Sequence, residues 1–400
     1  MTKIEKKFFE LIRENILTVV FAAVTLVGIF IHFCGLDFQS GDYLSFLKPW
    51  WTIIKSAGIG GLSKQVGNYN IPYQIIIYIM TLFPWDSLIA YKSLSIVFDF
   101  ALACGVMLIT AQITKSKVLS LVSYALTICS LTVLFNSSFW GQCDSIYTAF
   151  IIFAIYFIFK DKTALSFVML GFALAFKLQM IFIIPVFLFY YILEKKVSIF
   201  HFLIIPAVDF ALCLPVLLFG RSIADIFTIY AEQTDYGKQI QMNCPNLYAL
   251  MCNGADATYY YLFKTLSIIL AIGVLGFMLG MFIYKKVDLS DKKNFLLTAI
   301  WTVFTCIMFL SSMHERYSYL LDILLILYAV SYRKNIIPAI ICNLISLRGY
   351  CSYLFKYDLV SNQHAAIVYF GVYLYITYVL VKEVLLNNNS KLELKLTKDV

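Results

Sequence analysis

Residues Ile16–Phe33 read ILTVVFAAVTLVGIFIHF, an unbroken apolar run. Such a run is typical of a membrane-spanning helix, because about 20 residues cross a hydrocarbon core of about 30 Å. The run is too long for a signal peptide, lacks a small-residue cleavage site and leads into further apolar runs, so we interpret it as an uncleaved first span. Similar continuous runs recur, as in 267–284. They predict helices and not the alternating segments of a transmembrane β-barrel.

The composition agrees with a membrane protein. Of 400 residues, 61% are hydrophobic and only 14% are charged, whereas soluble domains are about half apolar and a quarter charged. This excludes a soluble enzyme, a disordered chain and a nucleic-acid-binding domain. The net charge of +8 comes mostly from short lysine pairs between apolar runs. Such pairs are a topology signal, so we expect the lipid bilayer and no nucleic acid as a partner.

The hydropathy pattern predicts an all-α polytopic membrane protein of about twelve transmembrane helices, forming a single domain over residues 1–400. The predicted spans are 15–34, 88–113, 117–135, 145–160, 163–176, 178–193, 199–219, 259–284, 294–312, 317–332, 335–353 and 365–386.

Charge asymmetry predicts the orientation of these spans. With the N-terminus inside, the inward segments carry 20 of the 31 basic residues, which favours cytoplasmic placement of both termini. Two long loops, 35–87 and 220–258, then face outward. We expect the first to carry interfacial helices. It contains an aromatic stretch, 43–55, suited to the membrane interface; because Pro49 would break or kink a helix there, we predict only a general interfacial placement for this stretch. The short apolar run 72–84 favours an interfacial or re-entrant helix.

Several residues leave alternatives open. A single helix over 163–193 would bury Lys177 in mid-membrane at a cost of several kcal/mol, so two short spans or a broken helix are favoured. Asp99, Asp209 and Asp322 lie inside apolar runs, and we expect them to have packing roles. Cys244 and Cys252 share the second long loop and can pair if that loop is extracytoplasmic. The cysteines show no metal-ligand spacing, and no acidic cluster demands a divalent ion, so we predict that no metal is needed; we also expect no cofactor.

With this topology, unusual polar residues gather on the outward side. They are Asp37 and Asp42, the segment Trp140-Gly141-Gln142-Cys143-Asp144, Lys177 and Gln179, and the segment His314-Glu315-Arg316-Tyr317. Ionisable groups at helix ends facing one compartment indicate an active site at the outer membrane interface. Two simpler interpretations remain. Asp144 and Lys177 can form a structural ion pair, and the His314 segment can be a solvated loop.

Five motifs in order carry a resemblance to a known family. They are Gly41-Asp42-Tyr43 with Trp50, Asn68-Tyr69-Asn70-Ile71-Pro72, the 140–144 segment, Lys177-x-Gln179 with Pro185, and the 313–317 segment. Over roughly residues 30–335 the chain resembles the bacterial integral membrane proteins related to the GPI-anchor mannosyltransferase. More distantly, it resembles the dolichyl-phosphate-glucose glucosyltransferases; both belong to the GT-C class. The chain differs from the glucosyltransferases at two places. They have two prolines where this chain has Ile71-Pro72, and Glu-Lys-Ser where this chain has Glu315-Arg316-Tyr317 after the His. The resemblance therefore does not identify the sugar.

The resemblance implies a GT-C fold, an isoprenoid-phosphate-linked sugar donor and a catalytic aspartate, which maps to Asp42 with Asp37 as the alternative. A carboxylate can serve as the base for the incoming hydroxyl. A phosphate leaves without the second acid that a glycosidase needs, but it requires positive charge held in place. The candidates for that charge are Lys177, His314, Arg316 and Arg221. The other predicted substrate contacts are Asp37, Tyr69, Trp140, Gln142, Asp144, Gln179, Glu315 and Tyr317.

The sequence thus predicts an inverting hexosyltransferase in a bacterial cell membrane, with an extracytoplasmic envelope glycan or glycolipid as acceptor. The alternative is a transporter or flippase for a lipid-linked sugar. Transporters place charges near the bilayer midplane on broken helices and often contain inverted repeats. No repeat stands out in this sequence, which favours the enzyme.

Overall fold

The computed structural model describes residues 1–234, 238–251 and 257–386. The structure is 79% helical, and the described residues form no β-strand. The α-helices are α1 (Lys3–Glu14), α2 (Ile16–Phe33), α3 (Lys48–Ala57), α4 (Ile71–Thr81), α5 (Ser87–Thr114), α6 (Lys117–Ile128), α7 (Leu131–Leu134), α8 (Asp144–Ile158), α9 (Thr163–Phe176), α10 (Ile184–Glu194), α11 (Ile199–Phe202), α12 (Ile204–Leu217), α13 (Ile223–Thr234), α14 (Leu247–Met251), α15 (Tyr260–Tyr284), α16 (Lys292–Phe309), α17 (Tyr319–Tyr332), α18 (Ile336–Phe355) and α19 (Asn362–Leu380). Short 3₁₀ segments cover Gly58–Leu62, Leu178–Ile183 and Ala257–Tyr259, and π-helical turns cover Tyr43–Leu47, Phe135–Trp140 and Val381–Leu386.

Long apolar helices confirm an all-α polytopic membrane fold. Among the described residues, six helices are long and apolar enough to cross a bilayer, and a seventh span results if the bent pair Lys117–Ile128 and Leu131–Trp140 is counted as one. The six are Ile16–Phe33, Ser87–Thr114, Ile199–Leu217, Tyr260–Tyr284, Ile336–Phe355 and Asn362–Leu386. The other five predicted spans correspond to α8, α9, the segment Leu178–Glu194, α16 and α17. The total of twelve spans therefore stays a prediction.

Some predictions lie outside the described residues. Cys252 falls in the undescribed stretch 252–256, so its pairing with Cys244 stays a prediction. Most of the basic residues counted in the C-terminal tail fall in 387–400, which is also outside the description. The cytoplasmic placement of both termini is likewise a prediction.

The first long loop contains one continuous helix over residues 41–57. It begins with the π-helical turn Tyr43–Leu47 and continues as α3. Pro49 lies in the first turn of α3, so the break or kink that the sequence suggested at Pro49 does not end this helix. Pro49 lies inside the continuous helix, directly after the π-helical turn, where its missing N–H removes one hydrogen bond from the helix without ending it. After a 3₁₀ segment, α4 follows as a separate short helix.

The helix is interrupted at Lys177, which confirms the predicted break between residues 163 and 193. Helix α9 ends at Phe176, and Lys177 adopts extended backbone angles of φ −157° and ψ 131°. The Leu178–Ile183 segment and α10 follow it. The break lets Lys177 leave the helix and point into a polar environment. In the core behind it, α8 packs against α5 and α9, while α16 packs against α10, α15, α17 and α19.

Candidate active site

A cavity of about 460 Å³ collects residues from distant parts of the chain. Its walls come from the first long loop, residue 142, the broken helix around Lys177, α15, the loop 310–317 and Tyr353 of α18. Eight of the predicted site residues line it: Asp42, Tyr69, Gln142, Lys177, Gln179, His314, Arg316 and Tyr317. The first loop, the two helix ends and the His-Glu-Arg segment thus meet around one space.

Asp42 is held by three hydrogen bonds at the edge of this cavity. Its Oδ2 accepts from Trp140 Nε1 at 2.8 Å and from Gln142 Nε2 at 2.6 Å. Its Oδ1 accepts from the hydroxyl of Tyr353. An ionised carboxylate offers about four acceptor positions on its two oxygens. One position on Oδ1 therefore remains for a ligand, and the 17% exposed side chain gives access to it.

A distorted helix end presents Trp140 and Gln142 to Asp42. The π-helical turn Phe135–Trp140 widens the helix and ends at Gly141, whose φ of +76° lies in the left-handed region that favours glycine. The backbone N–H groups of Gly141 and Gln142 donate to Ser137 and Asn136 carbonyls at 2.9 Å. Short π-helical turns occur frequently at functional sites. This one lies between α7 and α8.

Two carboxylates and two cations alternate in a row next to the cavity. Arg316 lies between the two acids: its Nη1 is 3.9 Å from Asp42 Oδ2, and its Nε is 3.7 Å from Asp144 Oδ2. Lys177 Nζ forms an ion pair with the other oxygen of Asp144. The predicted structural pair Asp144–Lys177 is therefore present, but Lys177 also lines the cavity. Asp144 itself is fully buried and accepts a further bond from Asn136 at 2.8 Å.

The Arg316 guanidinium faces the cavity with donors to spare. It is 12% exposed, stacks 5.1 Å from the Trp140 ring, and its Nε lacks a hydrogen-bond partner among the described residues. Burial acts to lower the Arg316 pKa, but the Tyr69 phenol and the Asp144 and Asp42 carboxylates together raise it above its ordinary value. Arg316 is thus a permanent, fixed cation that can bind an anion in the cavity.

His314 differs from the sequence expectation that it supplies positive charge. Burial, together with the charges of Arg316 and Lys177, lowers the His314 pKa well below its ordinary value. The imidazole is therefore neutral near pH 7 and can act only as a hydrogen-bonding group. Its backbone is fixed because Met242 and His314 form a bridge between the second long loop and the 310–317 loop. The same two loops are joined by a bond from Ser312 N to the Ile240 carbonyl at 2.8 Å.

Five predicted site residues do not line the cavity. Trp140, Asp144 and Glu315 are buried behind its wall, where they support Asp42 and Arg316. Burial raises the Glu315 pKa above its ordinary value, although the Arg316 charge opposes this. Asp37 is exposed on the surface. Arg221, predicted to bind phosphate, instead donates to Gln74 Oε1 at 3.0 Å and to the Gln65 side chain, and so joins the second loop to the first.

Several lining residues were not predicted. Tyr353 lies in an apolar run of α18, and only its contact with Asp42 identifies it. Trp50 was quoted within a motif but given no role; its ring lines the cavity and forms an edge contact with Tyr69 at 5.4 Å. Asn68 also lines the cavity, and its backbone carbonyl accepts from Gln233 Nε2 at 2.8 Å. Lys264 is a further lining cation on α15.

One side of the cavity is apolar and reaches the surface of the bundle. Ile181 and Ile268 both line the cavity, and they are 44% and 41% exposed. Ile181 belongs to the Leu178–Ile183 segment and Ile268 to α15. In a membrane-spanning bundle such exposed aliphatic residues face lipid. The cavity therefore joins a charged interior to an apolar opening.

Comparison with known proteins identifies the family of the chain. The model of Glycosyltransferase family 87 matches residues 68–313, which is more than half of the chain. The match includes Tyr69, Gln142 and Lys177 but neither Asp42 nor Arg316. A comparison with curated proteins finds no match. On the family match, the chain belongs to Glycosyltransferase family 87 and is a multi-pass membrane glycosyltransferase of the GT-C class.

Proposed function

We propose that the protein transfers a hexose from a polyprenyl-phosphate-sugar donor to a hydroxyl of an envelope glycan or glycolipid, with inversion at the anomeric carbon. One observation carries the proposal: a single cavity of about 460 Å³ contains a carboxylate with a free acceptor position, two fixed cations and an apolar opening. Family membership supports a glycosyltransferase. It gives no support to the transporter alternative.

Asp42 is proposed as the general base. The acceptor hydroxyl donates its hydrogen bond to the remaining position on Oδ1, next to the Tyr353 hydroxyl. As the hydroxyl oxygen bonds to the anomeric carbon, its proton moves to Oδ1 and the bond from carbon to phosphate oxygen breaks. Attack opposite the leaving phosphate inverts the anomeric configuration. A positioned base of this kind contributes typically 10²- to 10⁴-fold to the rate.

Arg316 and Lys177 are proposed to bind the donor phosphate. Both line the cavity, and Arg316 is fixed from both sides by carboxylates at 3.7 and 3.9 Å. Charge that is already oriented before the reaction stabilises a leaving anion without reorganisation, which is typically worth a few kcal/mol. Neutral His314 adds a hydrogen-bonding group beside them. Gln179 and Tyr317 complete this part of the wall.

The apolar opening at Ile181 and Ile268 is proposed to admit the isoprenoid tail. A lipid-linked donor cannot leave the bilayer, so its phosphate has to reach the cations from the side. Because the tail moves from lipid into an apolar groove, this transfer gains little hydrophobic free energy. A tail lying between the 178–183 segment and α15 would therefore orient the donor, while the cations bind and select the phosphate.

The sugar ring is proposed to lie against Trp50 and Asn68. The Trp50 ring packs on Gly67, where an added Cβ would come within 2.4 Å of the indole, so the ring has a fixed position. The apolar C–H face of a pyranose packs well on an aromatic ring. The amide of Asn68 can bond to sugar hydroxyls. We further propose that this site faces outward, that both termini are cytoplasmic, and that the long loops 35–87 and 220–258 form its outer wall.

The test is reconstitution of the purified protein in lipid nanodiscs with a panel of polyprenyl-phosphate hexoses. Mass spectrometry of co-purified lipid should detect an isoprenoid phosphate, which would also guide the choice of donor and acceptor. NMR of the product should show an anomeric configuration opposite to that of the donor. A product with the donor's configuration would refute inversion. Transfer from a sugar nucleotide, with no activity on any lipid-linked donor, would refute the donor class.

A further inference from the structure

Helix α5 carries a buried polar face that the proposed reaction does not use directly. Lys92, Ser95 and Asp99 are each 0% exposed within this apolar membrane span. Their spacing of three and seven residues places them on one face of the helix. Buried polar groups in a bilayer are costly and usually functional. The partners of these three residues indicate what they do.

Lys92 holds the segment that leads to Asp42. Its Nζ donates to the carbonyl oxygens of Gly35 at 2.6 Å, Leu36 at 3.0 Å and Phe38 at 2.5 Å. An ammonium group has three donors, so all three are used on one short stretch of backbone. This stretch directly follows the C-terminus of α2, where the helix dipole favours a cation. Asp42 follows Phe38 by four residues.

Ser95 holds the other side of the Asp42 site. Its hydroxyl donates to the carbonyl oxygen of Gln142 at 2.6 Å, and its own carbonyl accepts from the Ser145 hydroxyl at 3.0 Å. Gln142 is the residue whose side chain donates to Asp42. One turn of α5 therefore contacts both the segment before Asp42 and the segment that binds its carboxylate.

Asp99 extends the same face toward α2 and α17. Its Oδ2 lies 3.2 Å from His32 Nε2, and the Tyr319 hydroxyl donates to Oδ1 at 3.5 Å. His32 Nδ1 lies 2.7 Å from the Gly28 carbonyl, which can only accept. Nδ1 therefore carries a hydrogen, and the His32–Asp99 bond needs a second proton on one of its two atoms. The pair is neutral as a whole, as suits its burial. Tyr319 follows Arg316 by three residues.

We propose that this polar face of α5, with Lys92 as its main member, positions Asp42 against the Gln142 segment so that the base lies within reach of the acceptor hydroxyl. The proposal rests on the proposed function of Asp42. Because Lys92 uses all three of its donors on this short stretch, the position of the segment before Asp42 depends on it. A displacement of about 1 Å at a reacting group can cost about 10²-fold in rate.

The main test compares Lys92→Met with Thr110→Val in nanodiscs. Thr110 is a matched control because it is also fully buried on α5, and its hydroxyl contacts Ser331 at 3.4 Å, away from the site. Lys92→Met should lower kcat at least tenfold while the Kd for the lipid donor changes less than threefold. Amide hydrogen exchange over residues 35–47 should become faster. Thr110→Val should change none of the three quantities.

A second variant keeps the test valid if Lys92→Met does not fold. Ser95→Ala removes one hydroxyl and should lower kcat about threefold at unchanged donor Kd. Equal losses in kcat and donor affinity for both variants, or unchanged exchange over 35–47, would overturn the positioning role. Full activity of Lys92→Met together with an inactive Asp42→Asn variant would overturn it while leaving the proposed function intact. If the wild type shows no transfer in the assay, hydrogen exchange still tests the role of α5. Faster exchange over residues 35–47 in Lys92→Met supports the positioning role, and unchanged exchange contradicts it.

Discussion

Replacement of Asp42 by asparagine separates the chemical step from donor binding. The amide has nearly the shape of the carboxylate. Its oxygen, in the place of Oδ2, can accept from Trp140 Nε1 and Gln142 Nε2, which lie at 2.8 and 2.6 Å from that atom. Its NH₂ group, in the place of Oδ1, can donate to the Tyr353 hydroxyl oxygen. The wall of the cavity is therefore expected to keep its form, while the basic Oδ1 atom and the negative charge are lost.

The size of the two effects follows from the geometry. Loss of a positioned base lowers the rate typically 10²- to 10⁴-fold, and we expect turnover to fall within that range. Donor binding should change in the opposite direction. Asp42 lies 3.9 Å from Arg316, and at an effective dielectric constant of about 20 such a pair interacts by about 4 kcal/mol. If about a third of that attraction is transferred to the donor phosphate, donor affinity rises about tenfold.

The assay measures single-turnover transfer and equilibrium binding of radiolabelled donor on the same nanodisc preparation. Asp37→Asn provides a comparison, because Asp37 is the other acid in the segment before the helix 41–57 but is exposed and does not line the cavity. We expect the Asp37→Asn variant to keep most of the turnover. A turnover loss below tenfold in Asp42→Asn would remove Asp42 as the base. Weaker donor binding in Asp42→Asn would contradict the electrostatic account of the Arg316 site.

Further substitutions test the remaining parts of the cavity. Lys177→Met should weaken donor binding at least tenfold, and it should lower thermal stability because Asp144 loses its nearest cation and keeps only Arg316 at 3.7 Å. The double variant Asp144→Asn, Lys177→Met should recover thermal stability but not donor binding, as seen in paired melting and binding measurements. Since burial lowers the His314 pKa, only the unfolded chain gains a proton there below about pH 6.5. Between pH 7.5 and 5.5 the wild type should therefore lose about 1.4 kcal/mol more stability than His314→Gln, measured by thermal melts. Trp50→Leu should raise the KM for the sugar substrates at least fivefold, whereas Trp50→Phe, which keeps a ring, should raise it less than twofold.

Hydropathy and charge patterns were enough to predict the helical membrane fold and the break at Lys177. The cost of an unpaired lysine in mid-membrane favoured a broken helix over a single one between residues 163 and 193. The same reasoning placed Asp42, the 140–144 segment and Arg316 on one side, and the structure brings Asp42, Gln142 and Arg316 to one cavity.

The rotation of each helix about its axis was not readable in the same way. Tyr353 sits in an apolar run 311 residues from Asp42 in sequence, and only the packing of α18 turns its hydroxyl toward that carboxylate. Lys92 has the spacing of an ordinary helix-end lysine, yet it is fully buried. Arg221 was expected in the site but is bound by glutamines of the first loop. In each case the partner comes from a distant segment, and rotation is set by packing between helices.

The alternating row of charges links proton transfer to departure of the phosphate. At rest, Asp42, Arg316, Asp144 and Lys177 carry two negative and two positive charges, so the row is neutral although both cations face a cavity. In the proposed reaction the hydroxyl proton neutralises Asp42, and the row gains one net positive charge. That charge appears next to Arg316 as the bond to the phosphate oxygen breaks and the leaving group becomes more negative. A neutral resting site limits the cost of keeping two cations in a partly dry cavity, because unpaired buried charges are costly. The attraction for the leaving phosphate is thereby strongest after the base has taken its proton, which favours the transition state over the bound donor.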